Sequence, residues 1–143
     1  MQQHLFKSLP ILLLTMLLSA CVAMNAPQYD TQFDKELTQI QRQVDTLFAE
    51  IKVHLGKPAA NYQHYILEYR QIDVSLQLLL TRADATAHNQ HTIHQVKLLQ
   101  SSMDKLQQRH KLGFKNAKEL ASLHTLINSQ IQSILTLELA KPR

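Results

Sequence analysis

Three histidines have the clearest metal-ligating spacing in the chain. His88, His91 and His94 recur at every third position of the segment HNQHTIH, and imidazole is a common ligand of zinc, copper and nickel. On a helix, neighbouring members of the series lie within reach of one transition-metal ion. A step of three residues drifts by about 60° around a helix, so all three cannot share one compact site. A metal site and a solvated polar helix start are therefore alternative interpretations of this segment.

The other residues that could do chemistry follow the apolar pattern of the chain. Four further histidines lie at or beside apolar positions, which favours packed or half-exposed rings: His54, His64, His110 and His124. Tyr62, Tyr65 and Tyr69 share one helix face, as core or groove lining or as a surface on which a sugar could stack. The sequence has no G-x-S-x-G elbow, no H-E-x-x-H motif and no glycine-rich phosphate loop. We therefore expect no catalytic residues, and the chain is not predicted to be an enzyme.

A cluster of basic residues surrounds Gly113. Its members are Lys105, Arg109, Lys111, Lys115 and Lys118. A basic patch suits an anionic partner, such as peptidoglycan carboxylates, lipid head groups or an acidic protein surface. The alternative is a solvated helix end. The formal net charge of +4 is mild, and it does not predict a nucleic-acid partner.

The only cysteine, Cys21, ends the most specific motif in the sequence. An apolar run over residues 11–18 is too short to span a bilayer, but it fits the apolar region of an export signal; a buried core helix is the alternative. The run leads into Leu18-Ser19-Ala20-Cys21. This motif resembles the lipobox of bacterial lipoprotein precursors, which has a leucine, two small residues and a cysteine.

The resemblance implies a covalent lipid on Cys21, and the sequence predicts no other cofactor, with a transition metal at the histidines as the alternative. A diacylglycerol is attached to the Cys21 thiol, a lipoprotein signal peptidase removes residues 1–20, and the new amine is acylated, usually with a fatty acid such as palmitate. Each buried methylene contributes about 0.8 kcal/mol, so two or three chains give lasting anchorage. Residues 21–29 then form a lipidated tether, and residues 30–143 form the folded domain.

The residue after the lipobox cysteine bears on the choice of membrane. In lipoproteins of enteric type, an aspartate there tends to retain the protein in the inner membrane, and this chain has Val22. The resemblance therefore implies an outer-membrane protein that faces the periplasm. The inner membrane and the cell membrane of a Gram-positive bacterium are the alternatives.

Four stretches repeat apolar residues at alternating steps of three and four, as amphipathic helices and coiled-coil seams do. They cover about residues 31–56, 59–85, 90–112 and 116–141. Gly56 and Gly113 end the first and third stretches, because glycine tolerates the left-handed conformation of a helix C-terminus. Residues 84–92 are polar but contain neither glycine nor proline. A break there, with Asn89 as a cap, and a continuous helix are both consistent with the sequence.

These elements predict an all-α fold. The expected architecture is an antiparallel up-down bundle of four amphipathic helices, or of three if the second and third segments are continuous. Because the anchor precedes the first helix, the first and third turns should lie at the membrane-distal end. The basic cluster would then form that tip.

We therefore interpret the chain as a lipid-anchored interaction protein of the cell envelope. A helical bundle tethered through Cys21 would dock or stabilise an envelope protein or bind peptidoglycan, with a partner helix in an apolar groove between bundle helices. The alternative function is a periplasmic metal-binding lipoprotein that uses His88, His91 and His94.

Overall fold

The computed structural model describes residues 26–143. The predicted signal peptide and Cys21 lie outside these residues. The described part contains four long helices and no strand: α1 (Thr31–His54), α2 (Ile66–Ala85), α3 (Gln90–Lys111) and α4 (Ala117–Leu139). Each helix packs against the next, and α1 also packs against α4, which closes the ring. The predicted helical bundle is confirmed, with a break between the second and third helices at residues 86–89.

The helix ends follow from local chemistry. The Asp30 carboxylate accepts hydrogen bonds from the Gln32 and Phe33 amides and so caps α1. Gly56 and Gly113 have φ values of +81° and +77°, which an L side chain rarely adopts. Asn116 caps α4 by accepting a hydrogen bond from the Glu119 amide at 2.9 Å.

The turn between α2 and α3 uses Asn89 differently from the prediction. Asn89 occupies the N-cap position of α3, but its side chain makes no capping hydrogen bond. Its buried amide instead donates to the Ala83 carbonyl at 2.9 Å, near the end of α2. The neighbouring His88 has a φ of +60°, a conformation in which histidine is enriched relative to most other residues.

The start of the second helix was predicted incorrectly. Two short 3-10 turns, Pro58–Ala60 and Tyr62–Tyr65, precede α2, and Asn61 between them is extended. In a continuous helix the Ala60 carbonyl would accept the His64 amide. It lies instead 2.8 Å from Nε2 of His110, while the His64 amide donates to Asn61. A tertiary contact therefore replaces the first helical turn.

The predicted seams form the core. The buried apolar side chains at these positions are Phe33, Leu37, Ile40, Val44, Leu47 and Ile51 on α1, Tyr69, Ile72, Leu76, Leu79 and Ala83 on α2, Ile93, Val96, Leu99, Met103 and Leu106 on α3, and Leu120, Ile127, Ile131 and Ile134 on α4. Their removal from water supplies the main driving force for folding. The rigid four-helix frame that results fixes the two ends of the bundle and the grooves between the helices.

Candidate functional site

The two ends of the bundle differ in what they present. At one end the turn after α1 meets the turn after α3, and residues of both, including Pro58 and Phe114, line one cavity. At the other end the chain enters the bundle, and the Tyr29 amide donates to the Pro142 carbonyl at 3.0 Å. We call the first the basic end and the second the entry end. The basic cluster thus lies opposite the point at which the chain enters.

Six lysines at or near the basic end are exposed: Lys52, Lys57, Lys105, Lys111, Lys115 and Lys118. No ion pair involves any of them within residues 26–143. Lys52 and Lys57 were not predicted members of the patch. They flank the Gly56 turn. The predicted antiparallel topology places this turn beside the Gly113 turn, and this could have identified both lysines as members of the patch.

Arg109 lies at the same end but has a structural role. Its guanidinium donates to both carboxylate oxygens of Glu119, at 2.6 and 2.9 Å, and to the Gly113 carbonyl at 2.6 Å. This bidentate pair joins the end of α3 to the start of α4. The hydrogen bond from Arg109, with that from the Lys115 amide, lowers the pKa of Glu119 below its ordinary value. The charge available to an anionic partner therefore comes from the lysines.

A groove between α1 and α4 opens at the basic end. Its volume is about 230 Å³. Phe48 and Leu120 are buried in it, while three small side chains, Ala49, Ala117 and Ala121, leave room above them. Side chains that are small where two helices meet allow a third helix to approach closely. The groove is therefore open and mainly apolar, and the space above the alanines can receive large side chains of a partner.

Polar groups border this groove. Lys52, Asp45 and His124 complete its lining. Nε2 of His124 lies 2.6 Å from Asp45 Oδ1, and the imidazole stacks on the Phe48 ring at a centroid distance of 4.6 Å. The groove lining contains no serine, threonine or cysteine beside the His124–Asp45 pair. An apolar floor bordered by polar groups suits the binding of an amphipathic helix.

His110 organises an aromatic cluster beneath the basic end. The ring is buried and stacks on Phe114 at 4.8 Å, and three tyrosine rings surround it: Tyr62, Tyr65 and Tyr69. A neutral ring satisfies both polar neighbours, because Nε2–H donates to the Ala60 carbonyl at 2.8 Å and Nδ1 accepts from the Tyr69 hydroxyl at 3.0 Å. Burial lowers the pKa of His110 below its ordinary value. This residue holds the Pro58–Ala60 turn against α3.

The tyrosine stripe lines the core and a second groove. Tyr65 and Tyr69 are buried. The Tyr62 hydroxyl accepts a hydrogen bond from Gln107 at 2.7 Å, and the Lys111 ammonium lies 5.1 Å from the centre of its ring. Tyr62 and Tyr69 border a groove of about 240 Å³ between α2 and α3 that also contains Arg70, Asp73 and Asp104. This groove is more polar than the one between α1 and α4, and charges of both signs line it.

The predicted metal ligands are not gathered into a site. His88 lies in the turn before α3, and His91 and His94 lie on the first turns of that helix; all three are exposed. Across the described part of the chain, no group of three histidine, cysteine, aspartate or glutamate side chains is arranged to hold a metal ion. The metal-binding interpretation remains a prediction that this geometry does not favour.

Comparison with known proteins finds no matching family model, no similar curated protein and no similar solved structure. Between residues 26 and 143, none of the helices has the length and apolar character needed to cross a membrane.

The burial of His110 predicts a pH-dependent stability. The unfolded chain binds a proton on this residue near the ordinary histidine pKa of about 6.5, whereas the folded chain binds it only at lower pH. The contribution of His110 to the free energy of unfolding is therefore fully present above about pH 6.5, and it is lost as the pH falls below that value and through the lower pKa of the folded state. Urea unfolding at pH 7.5 and at pH 5.5 should give a smaller free energy of unfolding at pH 5.5.

The matched variant is His110→Gln, which keeps an amide donor for the Ala60 carbonyl and cannot titrate. We expect it to lower the free energy of unfolding at pH 7.5 by about 1–3 kcal/mol, because the Tyr69 hydroxyl loses its acceptor. It should also flatten the slope between the two pH values. An unchanged slope in His110→Gln would show that other groups cause the pH dependence.

Proposed function

We propose that the protein is a lipid-anchored docking module of the bacterial cell envelope. In this proposal the groove between α1 and α4 at the basic end receives an amphipathic helix of an envelope protein that carries acidic residues beside its apolar face. The observation that carries the proposal is the position of an open apolar groove beside unpaired lysines, at the end of the bundle opposite the entry of the chain.

The anchor in this proposal is the lipid on Cys21, inferred from the lipobox resemblance, and the preferred location is the periplasmic face of the outer membrane. Residues 21–29 would reach at most about 30 Å when extended. Helix α1, with 24 residues, is about 36 Å long at 1.5 Å per residue. With the bundle upright, the groove would stand tens of ångströms from the lipid surface, where it could reach a membrane-attached or periplasmic machine.

The chemistry of the groove defines its occupant. A partner helix would place large apolar side chains over Phe48 and Leu120, in the space that Ala49 and Ala121 leave open. Acidic residues at its border would face Lys52 and Lys118. Peptidoglycan offers carboxylates but no apolar helix face, so it could use the lysines and would not need the groove.

Filling the groove tests this proposal. Ala121 is exposed in the groove, so Ala121→Glu should fold normally while it fills the open space and repels an acidic partner. We expect at least a tenfold loss of the partner recovered after crosslinking in intact cells. Ala87→Glu is the matched control, because Ala87 is exposed in the turn between α2 and α3, away from the groove.

The two partner classes give different outcomes. Recovery of a protein partner that Ala121→Glu leaves unchanged would contradict docking in this groove. If instead the chain sediments with purified peptidoglycan, and Lys115→Glu with Lys118→Glu abolishes this while Ala121→Glu does not, peptidoglycan would replace the protein as the partner. Thermal unfolding followed by circular dichroism verifies that each variant is folded.

A further inference from the structure

Helix α2 carries a second apolar seam on its outer face. Leu67, Val74 and Leu78 have 66%, 53% and 62% of their surfaces exposed. With the exposed residues Gln71, Thr81 and Ala85 they continue a ladder whose steps are four, three, four, three and four. This is the spacing of a coiled-coil seam. A surface helix normally has a polar outer face, so an exposed row of apolar side chains at this spacing is a candidate surface for a partner helix.

We propose that the outer face of α2 binds a second copy of this chain in an antiparallel, two-fold symmetric dimer. The axis would pass beside position 76, so that Val74 of each copy meets Leu78 of the other. Moving outward, Gln71 would meet Thr81, and Leu67 would meet Ala85. The central layers are apolar, the next layers pair an amide with a hydroxyl, and the outermost layers pair a large side chain with a small one.

The charges that flank the seam complement each other under this symmetry. Arg70 of one copy would lie beside Asp84 of the other, and the symmetry makes this contact twice. Both residues are exposed, and neither forms an ion pair within the described residues. Glu68 would likewise face Arg82, whose guanidinium already pairs with Asp30 and Glu36. Opposite charges at flanking positions set the partner and the orientation of coiled coils.

Other arrangements of the same seam lack this complementarity. In a parallel pair, Arg70 would face Ser75 and Gln77 would face Arg82, so no opposite charges would meet. Sliding the antiparallel pair by one heptad would place Arg70 beside Gln77 and would leave about four layers in contact. The charges and the length of overlap therefore favour one register.

This interface leaves the proposed docking groove open. Helix α2 packs against α1 and α3, so its outer face lies at the corner of the bundle opposite α4. The two-fold axis is perpendicular to the helices, so a dimer whose two tethers enter one membrane would lie with its helices along the membrane surface. The upright orientation considered above applies to a single copy. The seam and the groove lie on different faces of the bundle, so dimerisation and docking are tested by different variants, and either can fail alone.

Charge exchange tests the proposed pairs. Sedimentation velocity of the full-length Cys21→Ser chain in a non-ionic detergent should show a reversible dimer. Arg70→Asp and Asp84→Arg should each raise the dimer Kd about tenfold, because each creates two like-charge contacts. The double variant should restore the original Kd. A chain that stays monomeric at concentrations up to about 1 mM, or a double variant that dimerises no better than the single variants, would overturn the proposal.

Thiol crosslinking tests the orientation in the same Cys21→Ser background. In the proposed dimer, Gln77 of one copy lies beside Gln77 of the other across the axis, so Gln77→Cys should be joined by a short bismaleimide. Thr81→Cys should not be joined, because position 81 would face position 71. In a parallel dimer the Thr81→Cys chains would be joined instead, and that result would overturn the antiparallel arrangement. Both sites are exposed, and circular dichroism verifies that each variant is folded.

Discussion

Replacement of Cys21 by alanine should abolish the incorporation of labelled palmitate into the protein. In the proposed lipoprotein the Cys21 thiol accepts the diacylglycerol, and Cys21 is the only cysteine in the chain. Mass spectrometry of the original protein should find a mature chain that begins at residue 21 and carries two or three acyl chains. The variant should lack these chains and should retain residues 1–20.

The number of acyl chains on Cys21 determines how firmly the lipid holds the protein in the membrane. At about 0.8 kcal/mol per buried methylene, two or three chains anchor a protein durably, whereas one chain does not. Val22→Ala is the matched control, because it changes the next residue and leaves the acceptor thiol in place. An original protein recovered from membranes with residues 1–20 attached and a free Cys21 thiol would contradict the lipoprotein interpretation.

Replacement of Lys141 by methionine should lower the free energy of unfolding by about 3 kcal/mol. The Glu138 side chain is fully buried at the entry end, where it forms an ion pair with the Lys141 ammonium. Its other oxygen accepts the Asp30 amide at 2.7 Å. Removing the lysine leaves a buried carboxylate without its opposite charge, which is among the most costly single changes in a protein interior. Urea unfolding at pH 7.5 measures the loss.

A double variant separates the lost charge from lost packing. Glu138→Leu with Lys141→Met removes both charges, and buried ion pairs replaced by apolar residues of similar volume often leave stability unchanged or raised. The double variant should therefore be more stable than Lys141→Met alone. Lys118→Met, which removes an exposed lysine, should stay within about 0.5 kcal/mol of the original protein. A Lys141→Met protein as stable as the original would show that the carboxylate is solvated.

The helices could be predicted from the sequence because their signals are local. The alternating steps of three and four depend only on the geometry of one helix, and Gly56 and Gly113 end helices through their own backbone conformations. The buried seam residues followed from the same periodicity. The break at residues 86–89 was an open alternative, since its stabilising contact is a hydrogen bond between the Asn89 side chain and the preceding helix.

Features that depend on contacts between distant residues could not be predicted. The Pro58–Ala60 turn replaces helix because His110, fifty positions along the chain, bonds to the Ala60 carbonyl. Position 138 continues the steps of four, three and four that begin at Ile127 on α4, so its burial agrees with the periodicity. The partners that a carboxylate needs there, the Asp30 amide and the Lys141 ammonium, depend on how the two ends of the chain meet. Arg109 was a predicted member of the basic cluster, but its ion pair with Glu119 occupies its charge. The sequence did not show this pairing.

The groove between α1 and α4 also arises from tertiary packing. Ala49 and Ala121 are ordinary alanines in the sequence, and they line one groove with Phe48 only because the bundle brings α1 and α4 together. The exposed lysines mark the basic end in the sequence, but the antiparallel turns bring Lys52 and Lys57 to it. The lysines of the candidate site could therefore be predicted from the sequence, whereas the apolar groove beside them could not.

Crosslinking in the intact native host, followed by recovery of the protein, tests the central claim most directly. Three forms should be compared: the original chain, the unanchored Cys21→Ala variant and the filled-groove Ala121→Glu variant. We predict one envelope protein that is recovered with the original chain, strongly reduced with Cys21→Ala and lost with Ala121→Glu. Equal recovery of the same protein with all three forms, or recovery of none above background with the original chain, would contradict an anchored docking module.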